Sequence, residues 1–382
     1  MNNKLIIAAA GSGKTNHLVM KALSIKDESV LITTFTEANG KEIANRIIEQ
    51  KGYLPENITI QTWFSFLLQH GVKPYQSILD SNLDNITIGF YLTSSKSGLR
   101  AGIKTSTGAP IYWGEKDVFK HYLTPTNKIY SDKISKFVFQ VNKMSNGEVI
   151  KRISRIYKHI LVDEVQDLAG YDLDIIKLLF STESIVILVG DPRQVTYLTH
   201  FSKRYSKYSN GNIAKFIESE LGKKIKCLID RDTLNASHRN NKKICDFSSK
   251  LYPDLPIPTE CKCSKCRITP NEHIGVFVIK PSQVDSYLKM FNPLQLRWSS
   301  TKKVNLDFQV KNFGESKGLT ANRVLIYPTD NMIKWIKDNS ININDETRAK
   351  LYVGLTRARF SSALVIEYND DEYFHDVEKY IP

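Results

Sequence analysis

Short aliphatic and β-branched runs alternate with stretches of helical periodicity along this chain. Short β-rich runs at residues 5–8, 30–34, 160–162, 185–189, 276–279, 324–327 and 364–367 lie between helical patterns, which predicts short buried strands. Between them, Leu18, Val19, Ala22 and Leu23 share one helical face, and Ile43, Ile47 and Ile48 share another after Thr36. A third helical pattern begins near Thr62, with Gly71 as its expected close. Strands alternating with helices predict parallel sheets joined by crossover helices, an α/β fold. The first four runs group together, whereas the last three lie beyond a Pro-, Lys- and Cys-rich stretch at 252–270. Two lobes are therefore expected: 1–71 with 144–230, and 231–382 carrying a short Cys-rich insertion near 252–270. Residues 72–143, with few strand signals, scattered Gly and Pro and many Lys, read as an inserted subdomain.

Composition narrows the picture. A chain of 382 residues with 41% hydrophobic and 24% charged residues can bury two or three cores. The net charge of +13 favours polyanions such as nucleic acid, in a salt-dependent way; a merely solvated basic surface is the alternative. No apolar stretch is long enough to span a bilayer, and the segment at 5–10 is too short for a secretory signal. Five cysteines, three of them clustered, argue for a reducing compartment and against a disulfide framework, so a cytoplasmic protein with no membrane partner is expected.

The chemistry begins at Ala8-Ala9-Ala10-Gly11-Ser12-Gly13-Lys14-Thr15, placed after a strand and before a helix. Glycines let successive backbone N–H groups turn toward an anion, Lys14 can reach the β/γ-phosphates, and the Thr15 hydroxyl can ligate Mg²⁺. Ala10 to Thr15 are thus candidate nucleotide-binding residues, for ATP or GTP. The strand at 160–162 ends in Asp163-Glu164, at the strand end that faces the ligand crevice in parallel sheets. Asp163 is placed to hold the metal with Thr15, and Glu164 to orient and deprotonate the attacking water. After the strand at 185–189 comes Gly190-Asp191-Pro192-Arg193-Gln194, where Gln194 is a candidate sensor of the γ-phosphate. Arg239 and Arg357 are candidate charge clamps.

The order of these segments, Lys14 loop, Asp163-Glu164-Val165-Gln166-Asp167, Gly190 to Gln194, Arg239 and 351–359, resembles a superfamily 1 helicase of UvrD/Rep type over nearly the whole chain. The resemblance implies two RecA-like P-loop NTPase lobes with parallel sheets, each carrying a small insertion. It also implies Mg²⁺ and ATP as cofactors, and ATP hydrolysis coupled to movement on single-stranded or forked DNA. Glu164, Gln194, Arg239 and Arg357 would be catalytic, the two arginines as fingers. Phe35, Thr36, Trp63, Ser316 and Lys317 stand in the family's DNA-contacting segments; for Trp63, stacking near the bases and packing in the core are equally open. Several family features differ. Few residues precede Leu5, so the upstream glutamine motif that reads adenine is not found. Thr199 and His200 follow Tyr197 where the family carries a base-stacking Trp and an Arg, and Thr320 replaces the usual acid after Gly318-Leu319.

The span between Arg239 and Ser316 is far shorter than the family's, where a large helical subdomain is inserted. Reliance on a partner for unwinding would follow. The alternative expectation is a nucleotide-gated DNA-sensing subunit of an anti-phage defence complex, with a nuclease or other defence partner, as in compact helicase-like subunits such as the B subunit of Gabija. Within the short span, Cys261, Cys263 and Cys266 could hold structural Zn²⁺, with His273, Cys245 or His238 as fourth ligand; free thiols on a surface loop are the other reading.

Overall fold

In a computed structural model, which describes residues 3–196, 199, 203–222, 225–266 and 272–382, the chain forms two compact units. The first comprises Met1–Ile6, Thr15–Gly190 and Leu198–Ile229; the second comprises Ile7–Lys14, Asp191–Tyr197 and Asp230–Pro382. The phosphate-loop segment and the segment carrying Gln194 therefore pack with the second unit.

A six-stranded sheet runs in the spatial order Cys227–Asp230, Asn3–Ile7, Ile185–Gly190, His159–Val162, Val30–Thr34, Ile58–Thr62. The last four of these strands pair in parallel, with Val30 opposite His159 and Ile58, and His159 opposite Ile185. Val30–Thr34 and His159–Val162 are buried throughout, which is why aliphatic and β-branched residues dominate them. Crossover helices follow as the periodicity requires. Lys14–Leu23 buries Leu18, Val19 and Ala22, and Glu37–Lys51 buries Ile43 and Ile47. Ile48, assigned to that face, is instead 44% exposed, because it lies at the rim of the stripe.

Gly71 does not end a helix. The helix Trp63–Leu67, N-capped by the Thr62 hydroxyl, continues into a π-helical turn at Leu68–Val72 and further turns beyond it. The glycine is there for contact, since a Cβ at Gly71 would lie 2.6 Å from Val138 Cγ2 on the helix Ile134–Met144. Residues 72–143 hold two small two-stranded sheets, Gly89–Tyr91 with Lys128–Tyr130 and Leu99–Lys104 with Pro110–Tyr112.

The second unit has its own six-stranded sheet, all parallel: Val310–Asn312, Leu294–Arg297, Ala321–Ile326, Ala358–Val365, Gly275–Ile279, Glu378–Lys379. Alternation splits its core in two. Val276, Val278, Leu296, Val324, Ile326 and Leu364 join Phe247, Trp335 and Tyr352 on one face, while Phe277, Ile279, Leu325 and Ala363 join Tyr287 and Leu288 on the other. The strand expected at 364–367 is thus the end of a longer one that begins at Ala358. Among the described residues, no helix is long and apolar enough to cross a membrane.

Candidate functional site

The phosphate loop is shaped by two glycines with left-handed backbones, Gly11 at φ +71° and Gly13 at φ +82°. Ser12 N donates to Ala9 O at 3.3 Å, closing the turn, and the helix starts at Lys14, so its free N–H groups and dipole face the loop. The Ser12 side chain is 4% exposed and its hydroxyl has no partner. An unpartnered buried hydroxyl inside a turn of left-handed glycines is the donor set a phosphate would complete. A second segment closes on the loop within the same unit: Ala9 N donates to Leu234 O at 2.8 Å, Ser237 Oγ to Ala10 O at 2.8 Å, and His238 N to Gly11 O at 2.9 Å. A Cβ on Gly11 would lie 2.6 Å from Arg239 Cβ, so only glycine lets Arg239 approach this closely.

In the first unit, the carboxyl ends of the parallel strands carry five further candidates. Phe35 and Thr36 follow Val30–Thr34, Trp63 follows Ile58–Thr62, and Asp163-Glu164 follow His159–Val162. Asp163 is 6% exposed, and its N–H extends the ladder to Thr33 O at 2.8 Å. Its Oδ1 accepts from Glu164 N at 2.9 Å. Glu164 is half-buried in a left-handed conformation, φ 54°, that a non-glycine residue adopts at a cost, and Gln166 Nε2 holds its Oε2 at 2.5 Å. Lys14 and Thr15 are half-buried.

The next strand delivers Asp191, fully buried, as an anchor in the second unit. Its Oδ1 accepts from Arg193 N and Nη1, both at 3.1 Å, and its Oδ2 accepts from Gln194 Nε2 at 2.7 Å. The Gln194 amide is thereby oriented with its oxygen toward Arg357, whose Nη2 donates to Oε1 at 3.0 Å. Arg357 is 1% exposed; its other nitrogens reach the carbonyls of Val353, Ser316 and Leu319 at 3.1–3.4 Å. Arg239, half-buried, donates from Nη1 to Thr356 O at 3.2 Å, one residue from Arg357. Gln194, Arg239, Arg357 and the phosphate loop are therefore joined inside one unit.

Three contributors were not singled out from the sequence. Arg193 reaches the Ala8 carbonyl of the phosphate loop at 3.3 Å and the Pro256 carbonyl at 2.6 Å. Asn240 ties Ser237 to the carbonyls of Thr356 and Ala358. Asp172, fully buried, receives Trp63 Nε1 at 2.7 Å, Thr199 Oγ1 at 2.5 Å and the Ser135 hydroxyl. Arg193 and Asn240 sit beside residues that the motif order had already marked, which was the available signal.

Burial separates the DNA-contact candidates, and for Trp63 it selects the core reading. Trp63 is 2% exposed with its N–H committed to Asp172, so it packs in the core and presents no face to a base. Ser316 is fully buried, its hydroxyl donating to Phe313 O at 2.7 Å and its carbonyl receiving Arg357. Phe35 is half-buried, edge-on to Phe64 with ring centroids 5.7 Å apart. Thr36 is exposed and caps its helix through Asn39 N, and Lys317 is half-buried. Thr199 is buried on Asp172 and Asp167; Tyr197 and His200 lie outside the described residues.

The cysteine cluster resolves its fourth member. His238, Cys261, Cys263 and Cys266 each place a ligand atom within 4.8 Å of the others. Hydrogen bonding from Cys266 and Cys261 pushes the Cys263 thiol down to about 6, while the bond to Cys263 raises Cys266 to about 12. His273 is elsewhere, stacked between Phe277 and Phe291 with Nε2 2.7 Å from Tyr287 Oη. Cys245 is buried with its thiol pushed up to about 12, beside the Asn240 carbonyl.

Comparison with known proteins gives consistent matches. The family model described as UvrD/REP helicase N-terminal domain matches residues 1–101 and 112–202. A "Probable DNA helicase II homolog" of Mycoplasma capricolum subsp. capricolum is 24% identical over 297 residues, 64% of this chain and 38% of that protein. The RecBCD enzyme subunit RecB of Borreliella burgdorferi is 27% identical over 141 residues, 37% of this chain and 11% of that one. The solved structure of the arterivirus nonstructural protein 10 helicase is 14% identical with a TM-score of 0.45, covering 97% of this chain and 60% of that chain. The chain spans well under half the length of both curated relatives.

Proposed function

Because the chain belongs to the UvrD/REP helicase N-terminal domain family, we propose that it is a DNA-dependent ATPase of helicase type, moving along single-stranded DNA as it hydrolyses ATP. Mg²⁺-bound ATP supplies the phosphoanhydride whose cleavage drives the cycle. The loop from Ala10 to Thr15 would receive the phosphates on its backbone N–H groups, Lys14 would neutralise their charge, and Thr15 and Asp163 would supply oxygen ligands for Mg²⁺. Glu164, aimed by its left-handed backbone and by Gln166, takes the proton of the attacking water. Arg239 and Arg357 stabilise charge developing on the transferred phosphoryl group.

Gln194 couples these parts. Asp191 fixes its amide nitrogen, Arg357 takes its amide oxygen, and Arg357 in turn bonds the carbonyls at the end of the 314–319 turn, next to Lys317. The γ-phosphate of bound nucleotide would compete with Gln194 for the same guanidinium, so the nucleotide state would be felt at the 314–319 turn beside Lys317. The observation that carries the reading is this buried Asp191–Gln194–Arg357 chain in the same unit as the phosphate loop. The helicase names of the curated relatives support DNA as the track, as does the net charge of +13.

The test is strand displacement. On a forked duplex the purified protein with Mg-ATP should release the shorter strand, and Lys14→Ala should not. Failure to displace with ATP turnover intact would leave an ATPase that senses DNA without unwinding it.

A further inference from the structure

A short ladder brings metal ligands together beside the phosphate loop. Ala236–Ser237 pairs in parallel with Thr259–Glu260, with Ser237 opposite Glu260. Parallel register delivers the next residue of each strand to the same end, and these are His238 and Cys261; Cys261 N donates to Ser237 O at 2.9 Å. The chain then doubles back. Cys263 N approaches Cys261 Sγ at 3.5 Å, and Cys266 N bonds to Cys263 O at 3.2 Å across the 3₁₀ turn Ser264–Cys266. That turn leaves Cys266 Sγ 3.0 Å from Cys263 Sγ and 3.4 Å from His238 Nδ1.

We propose that His238, Cys261, Cys263 and Cys266 bind one structural Zn²⁺, which fastens the segment carrying Arg239 to the phosphate loop. A tetrahedral ion with three thiolates and one imidazole needs its ligand atoms roughly 3.5–3.8 Å apart. The four atoms, all within 4.8 Å of one another, meet that with shifts of a few tenths of an ångström to about one. Four protein ligands fill the tetrahedron, which is the closed set of a structural site. The link to the loop is direct: His238 N holds the Gly11 carbonyl at 2.9 Å, and a Cβ on Gly13 would lie 3.8 Å from His238 Cδ2. Arg239 is the next residue. Without the ion, the turn that carries Cys263 and Cys266 loses its tie to His238, and the segment's bonds to the phosphate loop and to the carbonyls of Thr356 and Ala358 are left to hold it.

The clamp rests on the loop being the nucleotide site, whereas the metal site does not, and the experiment separates them. Full-length protein purified under reducing conditions without chelator is assayed for zinc by mass spectrometry. Wild type should carry about one ion per chain, and the double variant Cys263→Ser/Cys266→Ser almost none. Co²⁺ added to zinc-stripped wild type should give the visible absorption of tetrahedral thiolate coordination, a readout that needs no variant. His238→Cys should retain zinc and His238→Ala should lose it. Stripping the zinc should weaken binding of a fluorescent ADP analogue about tenfold, as a preorganised loop becomes disordered. Wild type without zinc and without a cobalt spectrum, or His238→Ala with full zinc, overturns the site; unchanged ADP affinity after stripping overturns the clamp. Zinc present with no nucleotide binding at all would instead sink the ATPase reading.

Discussion

Arg357 commits every guanidinium nitrogen to an acceptor, which makes it a structural residue as well as the proposed arginine finger. Truncating it strands those carbonyls and the Gln194 amide in a site 1% exposed, at a cost of about 2–4 kcal/mol. Arg357→Lys keeps the charge but cannot span the same acceptors, so ATP turnover should fall by about 10² or more while the fold survives. Turnover within about twofold of wild type would remove Arg357 from the chemistry. Trp63 makes the opposite prediction. Trp63→Phe deletes the bond to Asp172 and should lower unfolding stability by about 1 kcal/mol, with affinity for single-stranded DNA unchanged. A several-fold weaker DNA complex with unaltered stability would put the indole back on the nucleic acid.

Packing between elements sets the behaviour of His273. The ring sits between Phe277 on its strand and Phe291 on the helix Val284–Phe291, with centroids 3.9 and 4.4 Å away and Tyr287 Oη on Nε2. Burial, with Arg323 adding like charge, lowers its pKa from 6.5 to about 4. Between those values the unfolded chain binds a proton that the folded chain refuses, so stability should fall as pH drops from 6.5 toward 4. The urea midpoint of wild type should decline more between pH 7 and pH 5 than that of His273→Phe; parallel declines would contradict the assignment. Burial also explains what could be read from the sequence. Val30–Thr34 and Ile185–Gly190 are legible to within a residue because strands covered on both faces are rich in aliphatic and β-branched residues along their whole length. Ile58–Thr62, an edge strand with half-exposed Thr and Gln, lacks that signature, as does the edge strand Val310–Asn312. Gly71 looked like a cap because its real reason, contact with Val138, lies 67 positions away in the chain.

At the scale of the molecule, the order of motifs was legible because each is a short run of distinctive residue types beside a strand or helix terminus: Lys14, Asp163-Glu164, Gln194 and the two arginines. The wiring was not. The Asp191–Gln194–Arg357 chain joins residues 163 positions apart, and His238 became the fourth thiol-cluster member through a ladder only two residues long. Trp63 illustrates the converse, since an aromatic in a DNA-contacting segment is indistinguishable by sequence from one whose N–H finds Asp172. The central claim, that the phosphate loop and the acidic pair hydrolyse ATP in response to DNA, is tested most directly by Mg-ATP turnover with and without single-stranded DNA in wild type, Lys14→Ala and Glu164→Gln. Wild-type turnover should rise with DNA and lose that rise as salt increases; Lys14→Ala should be inactive, and Glu164→Gln should bind ATP normally yet turn over about 10²–10⁴-fold more slowly. Wild-type rates in both variants, or turnover indifferent to DNA at every salt concentration, would contradict the account.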